Sequence, residues 1–163
     1  MLIDFHSVYA RHAPDVYRFA LYLSGDAALA DDITQEAFVR AWVMPGEVRG
    51  GTVKAYLFMI ARNLYRAELQ RAARRVALVD GLPDRQPGPD AVANGRQELA
   101  AVLHALQTLP EVDRAALLMH AQDEMPYAEI AETLGISVVA AKVKVHRARI
   151  KLKKLLKPEG ESA

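Results

Sequence analysis

No cysteine occurs among the 163 residues, which excludes disulfides and thiolate metal sites. The five histidines, at positions 6, 12, 104, 120 and 146, show no paired ligand spacing on one helix. They read as surface or half-buried side chains, and no metal is expected. There is no glycine-rich phosphate loop and no nucleophile elbow. Catalytic residues and cofactors are therefore expected to be absent, and the chain is not expected to be an enzyme. No apolar run is long enough to span a bilayer. The start, Met-Leu-Ile-Asp-Phe-His, has no basic segment followed by an apolar one, as a secretory signal would. A cytoplasmic protein without direct membrane insertion is expected. Strand signals are scarce as well.

Helical periodicity is what the chain has instead. Just over half of it is apolar, enough for one core or two modest ones. A first helical segment, about 3–24, spaces Phe5, Val8, Tyr9, Val16, Phe19, Ala20 and Leu23 at three- and four-residue steps. Pro14 is expected to break or kink it, or to open a second helix. Ser24-Gly25-Asp26 reads as a stop and a new start. The next helix, about 27–43, offers Leu29, Ile33, Phe38 and Trp42 to a core. Pro45-Gly46 and Gly50-Gly51 bracket a loop, and Thr52 is a candidate cap for a helix over about 53–74 with Leu57, Ile60, Ala61 and Leu64 inward. Residues 80–95 then turn rich in Pro, Gly and Asp, a composition that packs poorly and reads as a flexible linker. Helices resume near Arg96, run to about Thr108, and restart at Pro110 to end near Gln122. The expected fold is all-α: two small helical domains joined by a flexible linker, the second ending in a helix-turn-helix.

That helix-turn-helix begins at Met125, turns at Gly135 and restarts behind Ser137, a plausible N-cap. Its second helix holds Lys142, Lys144, Arg147, Arg149, Lys151, Lys153, Lys154 and Lys157 with no acid among them. The formal net charge of the whole chain is only +1, so this charge is placed rather than general. Glu111, Asp113, Asp123, Glu124, Glu129 and Glu132 precede it, against Arg114 alone. Such a split suits a polyanion on one face and a different partner elsewhere. At 100° per residue, Val138, Ala141, Val145, Ala148, Leu152 and Leu155 form one stripe, expected to pack on Ile130, Ala131 and Leu134. The opposite arc presents Val143, His146, Arg147, Ile150 and Lys154, with Lys142 on its shoulder. Early residues of a recognition helix reach base edges in the major groove, where Lys142 and Arg147 can donate to guanine and His146 to a base. Lys144 and Arg149 complete the candidate DNA-binding set. The plain alternative is a solvated basic helix whose cations complement the helix dipole; the glycine turn and the matching apolar seam favour DNA.

Two further motifs match one family. Asp31-Asp32-Ile-Thr-Gln35-Glu36-Ala-Phe38-Val39-Arg-Ala-Trp42 and Ala55-Tyr-Leu-Phe-Met-Ile-Ala-Arg62-Asn63-Leu-Tyr-Arg66-Ala-Glu68-Leu-Gln-Arg71 occur in this order before the linker. With Leu109-Pro110-Glu111 through Leu156 after it, the chain resembles the extracytoplasmic-function (group 4) sigma factors of the sigma-70 family. The resemblance implies region 2 over 1–76, a linker over 77–96, region 4 over 97–157 and a tail over 158–163. It implies core RNA polymerase binding through Asp31, Asp32, Gln35, Glu36 and Val39. It implies −10 recognition through Arg49, Thr52, Arg62, Asn63, Arg66 and Arg71, and −35 recognition through the basic helix. The implied partners are core polymerase, promoter DNA and an anti-sigma factor.

For several of these residues a plainer role competes, an ordinary helix-surface place for Asn63 among them. Asp31 and Asp32 suit a first helical turn, Phe38 and Trp42 a core, and the arginines a solvated face paired with Glu68. The family usually carries Gly-Thr, then a basic residue and Ser, where this chain has Val139, Ala140, Lys142 and Val143. A phosphate-binding hydroxyl is lost, and Val143 is suited to a thymine methyl. Two other functions fit parts of the sequence: a sigma-like decoy that titrates an anti-sigma factor, and a stand-alone helix-turn-helix regulator. Arg62–Arg75 argues against the first and the region 2 motif against the second.

Overall fold

The computed structural model describes residues 5–43, 52–78 and 94–157. Seven helices occur among them, and no strand: α1 Phe5–Ser24, α2 Ala27–Val43, α3 Val53–Leu78, α4 Asn94–Gln107, α5 Glu111–Asp123, α6 Tyr127–Leu134 and α7 Val138–Leu156. None of these helices is long and apolar enough to cross a membrane. The loop at 44–51, most of the expected linker and the tail lie outside the described residues. α3 runs past its expected end at 74, and α4 begins two residues before Arg96.

The first half is α1, α2 and α3 around Val16, Phe19, Leu23, Ile33, Phe38, Leu57 and Phe58, all buried. The rings of Phe19 and Phe58 stack at 4.4 Å. α1 passes through Pro14 without a break, so neither the expected break nor a second helix opening there is found. Pro14 removes one helical donor, but Pro14 and Ala10, whose carbonyl loses that donor, both lie on the exposed side. Burial of Val16, Phe19, Ala20 and Leu23 beyond it keeps the helix continuous. Gly25 takes φ +72° and ends the helix; Asp26 then accepts from the backbone N–H of Leu29 at 3.1 Å and caps α2. Trp42 departs from its expected core place. It is 55% exposed, with its ring edge-on to Phe5 at 5.0 Å, because α1 runs out alongside it.

In the second half α7 lies mainly against α5, with α6 and α4 beside it. Ser137 caps α7 by accepting from the Ala140 N–H at 3.0 Å, and Gly135 makes the turn at φ +69°. Ile130, Ala131 and Leu134 are buried, as are Ala141, Val145 and Ala148. The expected stripe is narrower at its ends: Val138 and Leu155 are exposed, since α7 overhangs its neighbours.

The halves do not stand apart. A single core cluster runs through both, and α1 and α3 meet α4, α5 and α6. Arg114 ties the seam. Its guanidinium donates to the Leu23 carbonyl, to the Tyr65 hydroxyl at 3.0 Å, to Gln107 at 3.1 Å and to the Leu109 carbonyl at 3.1 Å. Gln107 in turn donates to the Tyr22 carbonyl at 3.1 Å.

Candidate nucleic-acid interface

The outward arc of α7 is built by its inward one. With Ala141, Val145 and Ala148 committed to the core, helical geometry turns Lys142, Val143, His146, Arg147 and Ile150 to solvent, where they line one shallow trough. All five are exposed. Arg147 donates through Nε to Asp113 at 3.2 Å, which leaves its two terminal amines for other acceptors. Asp113 is buried and also faces Lys144 at 3.5 Å, so Lys144 lies on the flank, not on the arc. Lys142 sits over the Tyr127 ring at 5.9 Å. Arg149 is exposed, beside a second trough formed with Leu117, Leu152, Lys153, Leu156 and Lys157.

The α3 set divides. Thr52 caps the helix by accepting from the Ala55 N–H at 3.1 Å and donates to Glu129 of α6 at 3.0 Å. Asn63 is exposed. Arg66 is exposed and 3.8 Å from Glu111. Arg71 and Arg75 pair with Glu68 at 3.3 and 2.8 Å, the solvated arrangement that their spacing also allowed. Arg62 differs from all of these: its side chain is 8% exposed and donates through Nε and Nη2 to both oxygens of Glu111, at 2.9 Å each. In this arrangement Arg62 faces the second half and not solvent. Arg49 falls outside the described residues.

On α2, Asp31, Asp32, Gln35, Glu36 and Val39 are all exposed, while Ile33, Thr34, Ala37 and Phe38 face inward. The helix-dipole explanation for the acids loses its ground here. α2 has no acid in its first turn, and Asp26 already caps it. Exposed Trp42 and Val43 continue the strip beyond Val39; sequence reasoning assigned Trp42 to the core and passed over Val43.

The acids of the second half explain much of the charge division. Glu111 holds Arg62, Asp123 holds Lys54 at 3.1 Å, Glu129 accepts from Thr52, and Asp113 steadies Arg147 and Lys144. Lys54 also reaches Asp15 at 3.0 Å, bridging α1 and α5. Burial opposes the ionisation of Asp15, but hydrogen bonds from Lys54 and Arg18 outweigh it and hold its carboxyl below the usual range. Burial pushes the Asp123 carboxyl up despite Lys54. Asp15 and Asp123 together keep the Lys54 ammonium charged, its pKa raised.

Comparison with known proteins agrees with this geometry. Residues 8–75 match the family model for Sigma-70 region 2, and residues 99–152 match Sigma-70, region 4. The chain is 35% identical to the ECF RNA polymerase sigma factor EcfG of Rhodopseudomonas palustris over 152 residues, covering 90% of this chain and 82% of that one. It is 32% identical to the ECF RNA polymerase sigma factor SigE of Mycolicibacterium smegmatis over 151 residues, again 90% of this chain, but spans only 59% of that relative's length. Among solved structures it is similar to the sigma factor RpoE of Bartonella quintana, crystallised with the anti-sigma factor NepR. That likeness has a TM-score of 0.79 at 26% identity and covers 97% of this chain and 99% of that one. Two region models in order, and relatives along nearly the whole chain, place this protein in the sigma-70 family, among the extracytoplasmic-function RNA polymerase sigma factors.

Proposed function

We propose that this sigma factor works in the cytoplasm by bringing core RNA polymerase to its promoters, with residues 1–76 serving polymerase and the −10 element and residues 97–157 serving the −35 element. The observation that carries the reading is the α7 arc, where exposed Lys142, His146 and Arg147 stand together on a helix capped at its start by Ser137 and packed through Ala141, Val145 and Ala148. Lys142 and Arg147 donate to guanine, His146 to a neighbouring base, and Lys144 and Arg149 to phosphates. Asp31, Asp32, Gln35, Glu36 and Val39 form the polymerase-binding strip of α2, and Trp42 and Val43 extend it with apolar surface. Thr52, Arg62, Asn63, Arg66 and Arg71, with Arg49 before them, take the opened −10 strand. A protein that consumes no nucleotide opens DNA only by binding the open form more tightly, and an extruded base is captured by stacking and edge hydrogen bonds. Nucleotidyl transfer belongs to the polymerase core. Each half reads few base pairs, and polymerase raises their effective concentration by holding both.

Control by an anti-sigma factor follows from the likeness to RpoE, which was solved with one bound. The polymerase-facing strip of α2 is a surface such an inhibitor would cover.

Run-off transcription with core polymerase and genomic promoter fragments tests the reading. Discrete start sites are expected. A protein that gives no specific start, yet binds duplex DNA tightly by itself, is not acting as a sigma factor. Neutral substitution of Lys142 and Arg147 together should abolish −35 dependence and leave core binding intact. Substitution of Asp32 and Gln35 should weaken core binding and leave duplex binding by the second half unchanged.

A further inference from the structure

The solvent face of α7 carries an apolar line that the surrounding cations obscure. Val139, Val143, His146 and Ile150 follow at steps of four, three and four residues, so they share one face of the helix. Val139 is 71% exposed, Val143 49% and Ile150 43%. A single exposed apolar side chain is ordinary. Three β-branched residues in line on an otherwise cationic arc are not, because β-branching costs χ1 freedom in a helix and the molecule covers them only in part. The inward seam of Ala141, Val145 and Ala148 is a separate line and is fully used by the core.

We infer that this line reads thymine: Val143 packs on the 5-methyl group of one thymine in the −35 duplex and Val139 on that of a second. The inference rests on α7 being the −35 helix. In the major groove thymine is the one base that presents a methyl group; the others present donors and acceptors there. A valine offers no hydrogen bond, so a cytosine amine or a purine N7 placed against it loses water without gaining a partner. Thymine is therefore favoured by contact and the alternatives are penalised by desolvation. The spacing fits. Four residues rise about 6 Å along the helix, against 3.4 Å per base on a strand, which sets the two methyls about two steps apart. Lys142 and Arg147, on either side of Val143, favour guanine next to them. The element read by this chain is accordingly mixed, with A·T pairs held at two fixed places.

The test uses reconstituted holoenzyme and a promoter fragment obtained by start-site mapping. Every thymine of the −35 segment, on either strand, is replaced singly by deoxyuridine, which removes the 5-methyl group and nothing else. Binding should weaken roughly fourfold at two positions, the worth of one buried methyl group. One loss should vanish with Val143→Ala and the other with Val139→Ala. A response at the Val143 position alone upholds that contact and overturns the one assigned to Val139. Neutral deoxyuridine everywhere, losses that persist in both valine variants, or a −35 segment without an A·T pair overturns the inference. In those outcomes the sigma reading still stands wherever the Lys142/Arg147 variant loses −35 dependence. The absence of any specific start would overturn both.

Discussion

At the scale of single residues, His12 shows how a neutral side chain can be built into a charged seam. Its Nδ1 is buried without a hydrogen-bond partner. Burial first, then the charges of Lys54 and Arg11, lower its pKa below 6.5, and Asp15 opposes them only in part. The unfolded chain therefore binds a proton here more readily than the folded one. Stability is complete above the unfolded value and falls as pH drops from about 6.5 towards the lowered one. Thermal melts between neutral and mildly acidic pH should show that decline, and His12→Gln should flatten it in this window. Asp15, held below the usual carboxylate range, adds a further loss only at lower pH. Asp123, pushed up by burial, works in the opposite direction, because the folded chain takes its proton more easily than the unfolded one. A variant that keeps the full decline just below pH 6.5 would show that His12 is not its source. A surface or half-buried place for the histidines was readable from their lack of paired ligand spacing. The partners of His12 were not, since Lys54 is 42 positions away and periodicity says nothing about which helix faces which.

At the scale of elements, both left-handed glycines among the described residues fall where helix stop signals were visible, yet they carry different loads. Gly135 has φ +69° and open space around it, so an added Cβ meets nothing. Gly25 has φ +72°, and a Cβ there would lie 3.1 Å from Gln107, across the seam between the halves. Gly135→Ala should cost about 1 kcal/mol, the backbone penalty alone, or a fall of a few degrees in Tm for a chain of this size. Gly25→Ala should cost more, because Gln107 must move and it holds both the Tyr22 carbonyl and Arg114. Equal losses in calorimetry would mean that Gln107 yields freely. Caps, turns and apolar faces were thus legible along the chain: Thr52, Ser137 and Gly135 do what their chemistry favours. Pro14 and Trp42 were not. Whether a helix survives a proline, or an aromatic finds cover, depends on what packs behind it, and that is settled by elements distant in sequence.

At the scale of the whole molecule, two helical halves with a linker between them could be read from composition, but their docking could not. Glu111, Asp123 and Glu129 looked like a patch for an outside partner, and that partner turns out to be the first half of the same chain. The consequence falls on Arg62. An arginine that donates to both oxygens of Glu111, with 8% of its side chain exposed, cannot hold a phosphate at the same time. With the −10 role proposed for Arg62, opening the halves and engaging the −10 strand would be coupled through one side chain. Removing one partner of a buried pair leaves the other charge uncompensated, at a cost of about 3–5 kcal/mol, less here because 18% of the Glu111 side chain is exposed. Both Glu111→Gln and Arg62→Gln should lengthen the distance between fluorophores placed in α2 and α7. Their effects on DNA should diverge. Glu111→Gln frees Arg62 and should tighten holoenzyme binding to a single-stranded −10 segment, whereas Arg62→Gln should weaken it. If neither variant changes the distance, the apolar core shared by the halves holds them together without the ion pair. If both weaken −10 binding alike, Arg62 acts through the fold and does not touch the strand.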